Sequence, residues 1–197
     1  HYPLRRQRQM CIRDRLISGP GLDGRDWRGT AHFLGTPVAT PAGTGFVAAT
    51  ATDDAYVQDK IVTVPSSVQA GDTLLLGFTG EAAMMPPTPN GWTLVRTQDN
   101  GTSVAVGVWT RQATSADAGA TITLTQPAKR RALVSLSAYR GFSAVALSAA
   151  STDTDSAVHA TPTLPVLTGD LVVAVFADRG TATTAWTAGG GQVGRLT

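Results

Sequence analysis

The residues able to do chemistry in this chain are few, and their spacing limits what each could do. The run "STDTDSAVH" at 151–159 carries Asp153, Asp155 and His159, the beginning of an oxygen-rich cation loop. Calcium in such a loop takes about 6–8 oxygen ligands, with a glycine at the sharp turn and a bidentate glutamate at the end. Here the next position in the series is Ala157, and no glutamate follows. The run therefore reads as a solvated loop, and no metal is expected. Glu81 is the only glutamate of the chain, so no pair of glutamates is present for the two-carboxylate chemistry of glycoside hydrolysis. Neither His32 nor His159 lies near a nucleophile in a recognisable turn, and nothing singles out Ser66, Ser103 or Ser135 as a partner for one of them. "GPGLDG" at 19–24 and "GGGQVG" at 189–194 fit G-x-G-x-x-G. Dinucleotide binding needs a strand before that turn and a helix after it, with an acidic residue about 20 positions on, and neither match opens a helix. No catalytic residue and no cofactor is expected.

Aromatic and thioether side chains remain. In "SVAVGVWTR" at 103–111, Val104, Val106 and Val108 share one face of an extended chain, while Ala105, Gly107, Trp109 and Arg111 share the other. If the valines fill a core, Trp109 stands outside beside small residues, and an exposed indole next to a guanidinium can stack and hydrogen-bond a sugar ring. The alternative is that a crossing loop covers Trp109, or that the faces are reversed. The loop "GEAAMMPPTPNG" at 80–91 holds Met84 and Met85, which either meet a partner or pack on the rim of the fold. Trp109, Arg111, Met84 and Met85 are the candidate ligand-binding surface. Trp92 and Trp186, at strand entrances, read as plugs at the ends of the fold.

These residues need a frame, and the pattern of the chain supplies one. From Ala55 onward, short runs rich in Val, Thr, Leu and aromatics are separated by Gly, Pro, Asn or Asp turns. They are "KIVTV" at 60–64, 72–78, 91–97, 102–112, 120–126, 132–140 and 170–178. Helix is nearly absent: "SADAGA" at 115–120 offers at most one turn before Gly119 ends it. The expected fold is all-β, a two-sheet antiparallel β-sandwich of jelly-roll or immunoglobulin-like type. "GDTLLLGF" and "GDLVVAVF" echo each other. Their apolar runs do not alternate, so each reads as a strand covered on both faces and placed centrally in its sheet.

At 197 residues, with 15% charged, the chain supports one domain with its own core. No apolar stretch reaches the ~20 residues of a membrane helix, and the single Cys11 allows no disulfide framework. The overall charge of +2 is unevenly placed: seven arginines face three aspartates in residues 1–29, whereas the remainder has nine basic and eleven acidic residues. Only Lys129, Arg130 and Arg131 cluster there. A nucleic-acid groove needs more, so the trio reads as the solvated end of a hairpin. The head offers no periodic apolar face, and "QRQMCIRDR" resembles strings that arise when leftover sequencing adapter is translated. Residues 1–35 are expected to be a lead-in without structure, 36–54 a linker or edge segment, and 55–197 the sandwich. The sandwich is expected to be incomplete at its C-terminal end, where "GGGQVGRLT" replaces the strands that follow Trp92 in the first half.

The pieces "VTVPSSVQAGDTLLL", "PNGWTLV", "VWTRQATSADAGATITLT", "LVSLSAYRGF" and "HATPTLPVLTGDLVVAVFADRG" occur in that order. In this they resemble a Thr/Ala-rich β-sandwich module of exported and phage tail proteins of actinobacteria. The resemblance implies a non-catalytic structural or adhesion module, located outside the cell, on its surface or on a virion. Its partners would be a glycan or another surface protein. A carbohydrate-binding module appended to a hydrolase is the other class it allows. No nucleic acid and no membrane span are expected.

Overall fold

The computed structural model describes residues 8–12, 27–33, 45–52, 55–142, 145, 148–154, 162–163, 165 and 170–179. They form eleven antiparallel strands and one 3₁₀ turn at Ala82–Met84. A five-stranded sheet has the order β3 (Gly45–Ala51), β9 (Leu133–Arg140), β5 (Thr73–Gly80), β7 (Val104–Gln112) and β6 (Thr93–Asn100). A four-stranded sheet has the order β10 (Ala150–Thr154), β1 (Arg8–Ile12), β11 (Val173–Arg179) and β2 (Trp27–Phe33). A third sheet pairs β4 (Val57–Thr63) with β8 (Thr121–Arg130). The protein is an all-β antiparallel sandwich.

The five-stranded sheet is covered on both faces, and period two assigns its residues to each. Leu74, Leu76 and Phe78 of β5 and Val134, Leu136 and Ala138 of β9 share one core with Val62 and Leu124 of the two-stranded sheet. On the opposite face Val104, Val106 and Val108 of β7 and Leu133 meet Val175 and Ala177 of β11. All eight residues of β5 are consequently buried, which is why "LLL" does not alternate. As expected from the echo, β5 is the middle strand of its sheet and β11 is an interior strand of the other.

Turns follow the sequence signals. Gly71, Gly101 and Gly119 have φ of 89°, 62° and 75°, a left-handed backbone that glycine adopts without steric cost. Asn100-Gly101-Thr102 closes the β6–β7 hairpin, and 115–119 makes turns rather than helix.

Three stretches differ from the sequence reading or refine it. Within the expected lead-in, Arg8–Ile12 pairs with β10 and β11, and Trp27–Phe33 pairs with β11. A strand at a sheet edge or in an open slot is specified by backbone pairing, and a periodic apolar face is not needed for it. Gly45–Ala51, in the segment read as linker or edge, is the edge strand beside β9. There Phe46 lies opposite Tyr139 with ring centroids 6.0 Å apart. Ala150–Thr154, at the start of the run read as a loop, is β10. Asp155, His159, Trp186, both G-x-G-x-x-G matches and the C-terminal stretch lie outside the described residues.

Candidate functional site

Trp109 is buried, with 1% of its surface exposed. The valine face of β7 packs on β11, while the Trp109 face is covered by the 3₁₀ turn and the loop that follows it. Met84 and Met85 pack against the same core, and the indole Nε1 donates to Thr88 Oγ1 at 3.1 Å. Of the two readings of Trp109, the exposed indole is corrected and the crossing loop is borne out: the loop from residue 80 to 91 covers it, so both faces of β7 are interior. Gly107, two residues earlier on that face, makes room. A Cβ there would lie 2.6 Å from Trp109 Cη2 and 2.8 Å from Met85 Sδ. Gly107→Ala should therefore lift the loop and cost about 1–3 kcal/mol, measurable as a lowered Tm; an unchanged Tm would show that the indole and loop do not hold this packing.

Arg111 follows Trp109 on the same face but reaches the rim of the sheet. Its guanidinium stacks 4.8 Å from the centroid of Trp92 and forks onto Asp117, with Nη1 donating to Oδ2 at 2.8 Å and Nη2 to Oδ1. Asp117 also accepts from the Thr114 backbone N–H at 2.6 Å and from Thr114 Oγ1 at 2.8 Å. The Arg111 fork holds its carboxyl far below the usual carboxylate range, against the opposing effect of burial. Trp92 is buried in the main core at the start of β6, which is the plug its position suggested.

A second fork stands on the same rim. Arg140, at the end of β9, donates from Nε to Asp72 Oδ1 and from Nη2 to Asp72 Oδ2, both at 2.8 Å. Asp72 also accepts from the Gln69 backbone N–H at 2.8 Å, the local turn bond that Gly71-Asp72 implied. The Arg140 bond lowers the Asp72 pKa and burial partly offsets it. Backbone bonds from Gly71 to Ala113 at 2.9 Å and from Ala113 to Asp72 at 2.8 Å join the two forks. The rim is a set of charge-assisted clamps that pin the strand ends of β5, β7 and β9.

Trp109 is thus interior, Met84 and Met85 are half-buried against the same core as one of their two expected roles had it, and Arg111 belongs to a separate clamp. They do not make a shared exposed surface. Among the described residues no group of three or more His, Cys, Asp or Glu is arranged to hold a metal, and no helix is long and apolar enough to cross a membrane.

The exposed large apolar side chains lie elsewhere, at Leu94 of β6, which is 45% exposed, and on or just before the two-stranded sheet. Tyr56, Val57 and Ile61 are 56%, 42% and 57% exposed. Asp59, Thr63, Thr121, Thr123 and Thr125 are exposed beside them. Tyr56 precedes the first strand residue and so falls outside the alternation by which candidates were found; its only sequence signal was an aromatic between two polar stretches. The fold is an antiparallel β-sandwich, and its β4–β8 sheet carries an exposed, threonine-lined face. No family model, no curated protein and no solved structure matches the chain.

Proposed function

We propose that this chain is a non-catalytic structural or adhesion module of an exported or virion-associated bacterial protein. The observation that carries the reading is the commitment of its charged rim: in each Arg–Asp fork the guanidinium and the carboxylate are spent on one another, and backbone bonds at the strand ends join the two forks, which is how a scaffold fastens its layers. The test is location. An antibody to the purified chain, applied to fractions of the encoding organism and its phage particles, should label the secreted, surface or virion fraction. Recovery in the cytosol alone would overturn the proposal.

A carbohydrate-binding module attached to a hydrolase is the second reading. It is favoured by one observation, the exposed Tyr56 ring at the end of the threonine-lined face.

A further inference from the structure

We propose that Met85 is a site of reversible oxidation by peroxide, and that its sulfoxide releases the 80–91 loop from the Trp109 face of β7. The loop is fastened by side chains rather than by a ladder. Residues 81–92 belong to no strand. Two of their backbone bonds are internal: Met84 N–H donates to the Glu81 carbonyl at 2.9 Å, and Trp92 N–H donates to the Pro89 carbonyl at 3.1 Å. Outward fastening comes from Glu81 Oε2, 3.4 Å from Arg130 Nε, from Thr88 Oγ1, which accepts from the Trp109 indole at 3.1 Å, and from Met84 and Met85 against the core.

Of these fastenings the Met85 thioether is the one that chemistry can change. Its Sδ stands 2.8 Å from the point where a Cβ on Gly107 would be, and Trp109 Cη2 stands 2.6 Å from the same point. The sulfur thus fills the space that glycine leaves, against the edge of the indole, a contact that a polarizable thioether favours. Met85 is half-buried, at the boundary where a small solvent-borne oxidant meets the packed loop. In the reaction an Sδ lone pair attacks one oxygen of hydrogen peroxide, the O–O bond breaks as the S–O bond forms, and the two electrons given up by sulfur reduce the peroxide to water. The product carries a larger, strongly accepting S–O group. The indole N–H is already given to Thr88 Oγ1, so the new oxygen takes its hydrogen bonds from water, and the loop lifts to admit them. Methionine sulfoxide reductases return the thioether and with it the closed loop.

The test is hydrogen peroxide treatment of wild type, Met85→Leu and Met85→Gln, followed by peptide mass mapping, hydrogen–deuterium exchange of the 80–91 segment and a melting curve. In wild type Met85 should gain one oxygen, amide exchange in the segment should quicken about tenfold or more, and Tm should fall by about 2–4 °C. Methionine sulfoxide reductases should reverse all three. Met85→Leu keeps the volume and should hold the loop closed with or without peroxide. Met85→Gln, whose amide oxygen stands in for the sulfoxide, should show the faster exchange with no oxidant. The proposal is overturned if Met85 stays a thioether under peroxide that fully oxidises free methionine, or if its sulfoxide leaves loop exchange unchanged. A quickening of loop exchange that survives in Met85→Leu, or a Met85→Gln loop as closed as that of untreated wild type, overturns it equally.

Discussion

Replacing Trp109 with alanine is expected to lower folding stability by about 3–5 kcal/mol, the range for a large aromatic removed from a packed interior. The size follows from where the indole sits. It is among the largest fully buried side chains, and it lies between the central sheet and the crossing loop. Its loss would leave Met84, Met85 and Gly107 facing a void that a sheet clamped at its rim cannot close. Trp109→Phe should cost less, since part of the volume is kept. Thr88→Val should cost about 1 kcal/mol through the orphaned indole N–H. Urea midpoints for the three variants check the order. A near-neutral Trp109→Ala would place the indole on an outer face after all.

The rim clamps should show themselves in acid. The Arg111 fork depresses the Asp117 pKa, and Arg140 depresses that of Asp72. A carboxyl with a lowered folded pKa binds its proton less readily folded than unfolded. Its contribution is therefore complete above the unfolded value of about 3.9 and is lost as the pH falls below it toward the folded value. Asp117→Asn should cost about 1.5–3 kcal/mol at neutral pH, the scale of hydrogen bonds to a charged group. It should also flatten the decline in stability below pH 4. Denaturant unfolding at several pH values from 7 to 2 measures both. If wild type and Asp117→Asn decline in parallel, the clamp is not what acid releases.

Much of the frame was legible because it rests on local pattern. The strands from β4 to β9, and β11, follow alternating or continuous apolar runs ended by Gly, Asn or Pro, and Gly71-Asp72 announced a strand covered on both sides. The stretches now seen as β1, β2, β3 and β10 carried no such pattern. Their backbones are paired by neighbours distant in sequence, and β3 is built mainly of small side chains at an edge. The choice between an exposed and a loop-covered Trp109 stayed open in the sequence for a related reason. Alternation divides β7 into two faces but cannot say that both are covered, since that depends on a loop crossing from 80 to 91. Gly107 two residues before Trp109, on the same face, was the available hint. Tyr56 was not legible because it stands just outside a strand, where alternation assigns no face.

The burial of β5 on every side has a consequence for how the chain reaches this state. Its partners β7 and β9 begin at Val104 and Leu133, well after β5 ends at Gly80. At a synthesis rate of about 5–20 residues per second, "LLLGF" waits roughly 3–10 s before the β9 side can pair. Contacts of such sequence separation also form slowly once available. During that interval this apolar, uncharged strand is a sticky template. Production of this protein should therefore be limited by co-translational aggregation and relieved by chaperones or lower temperature.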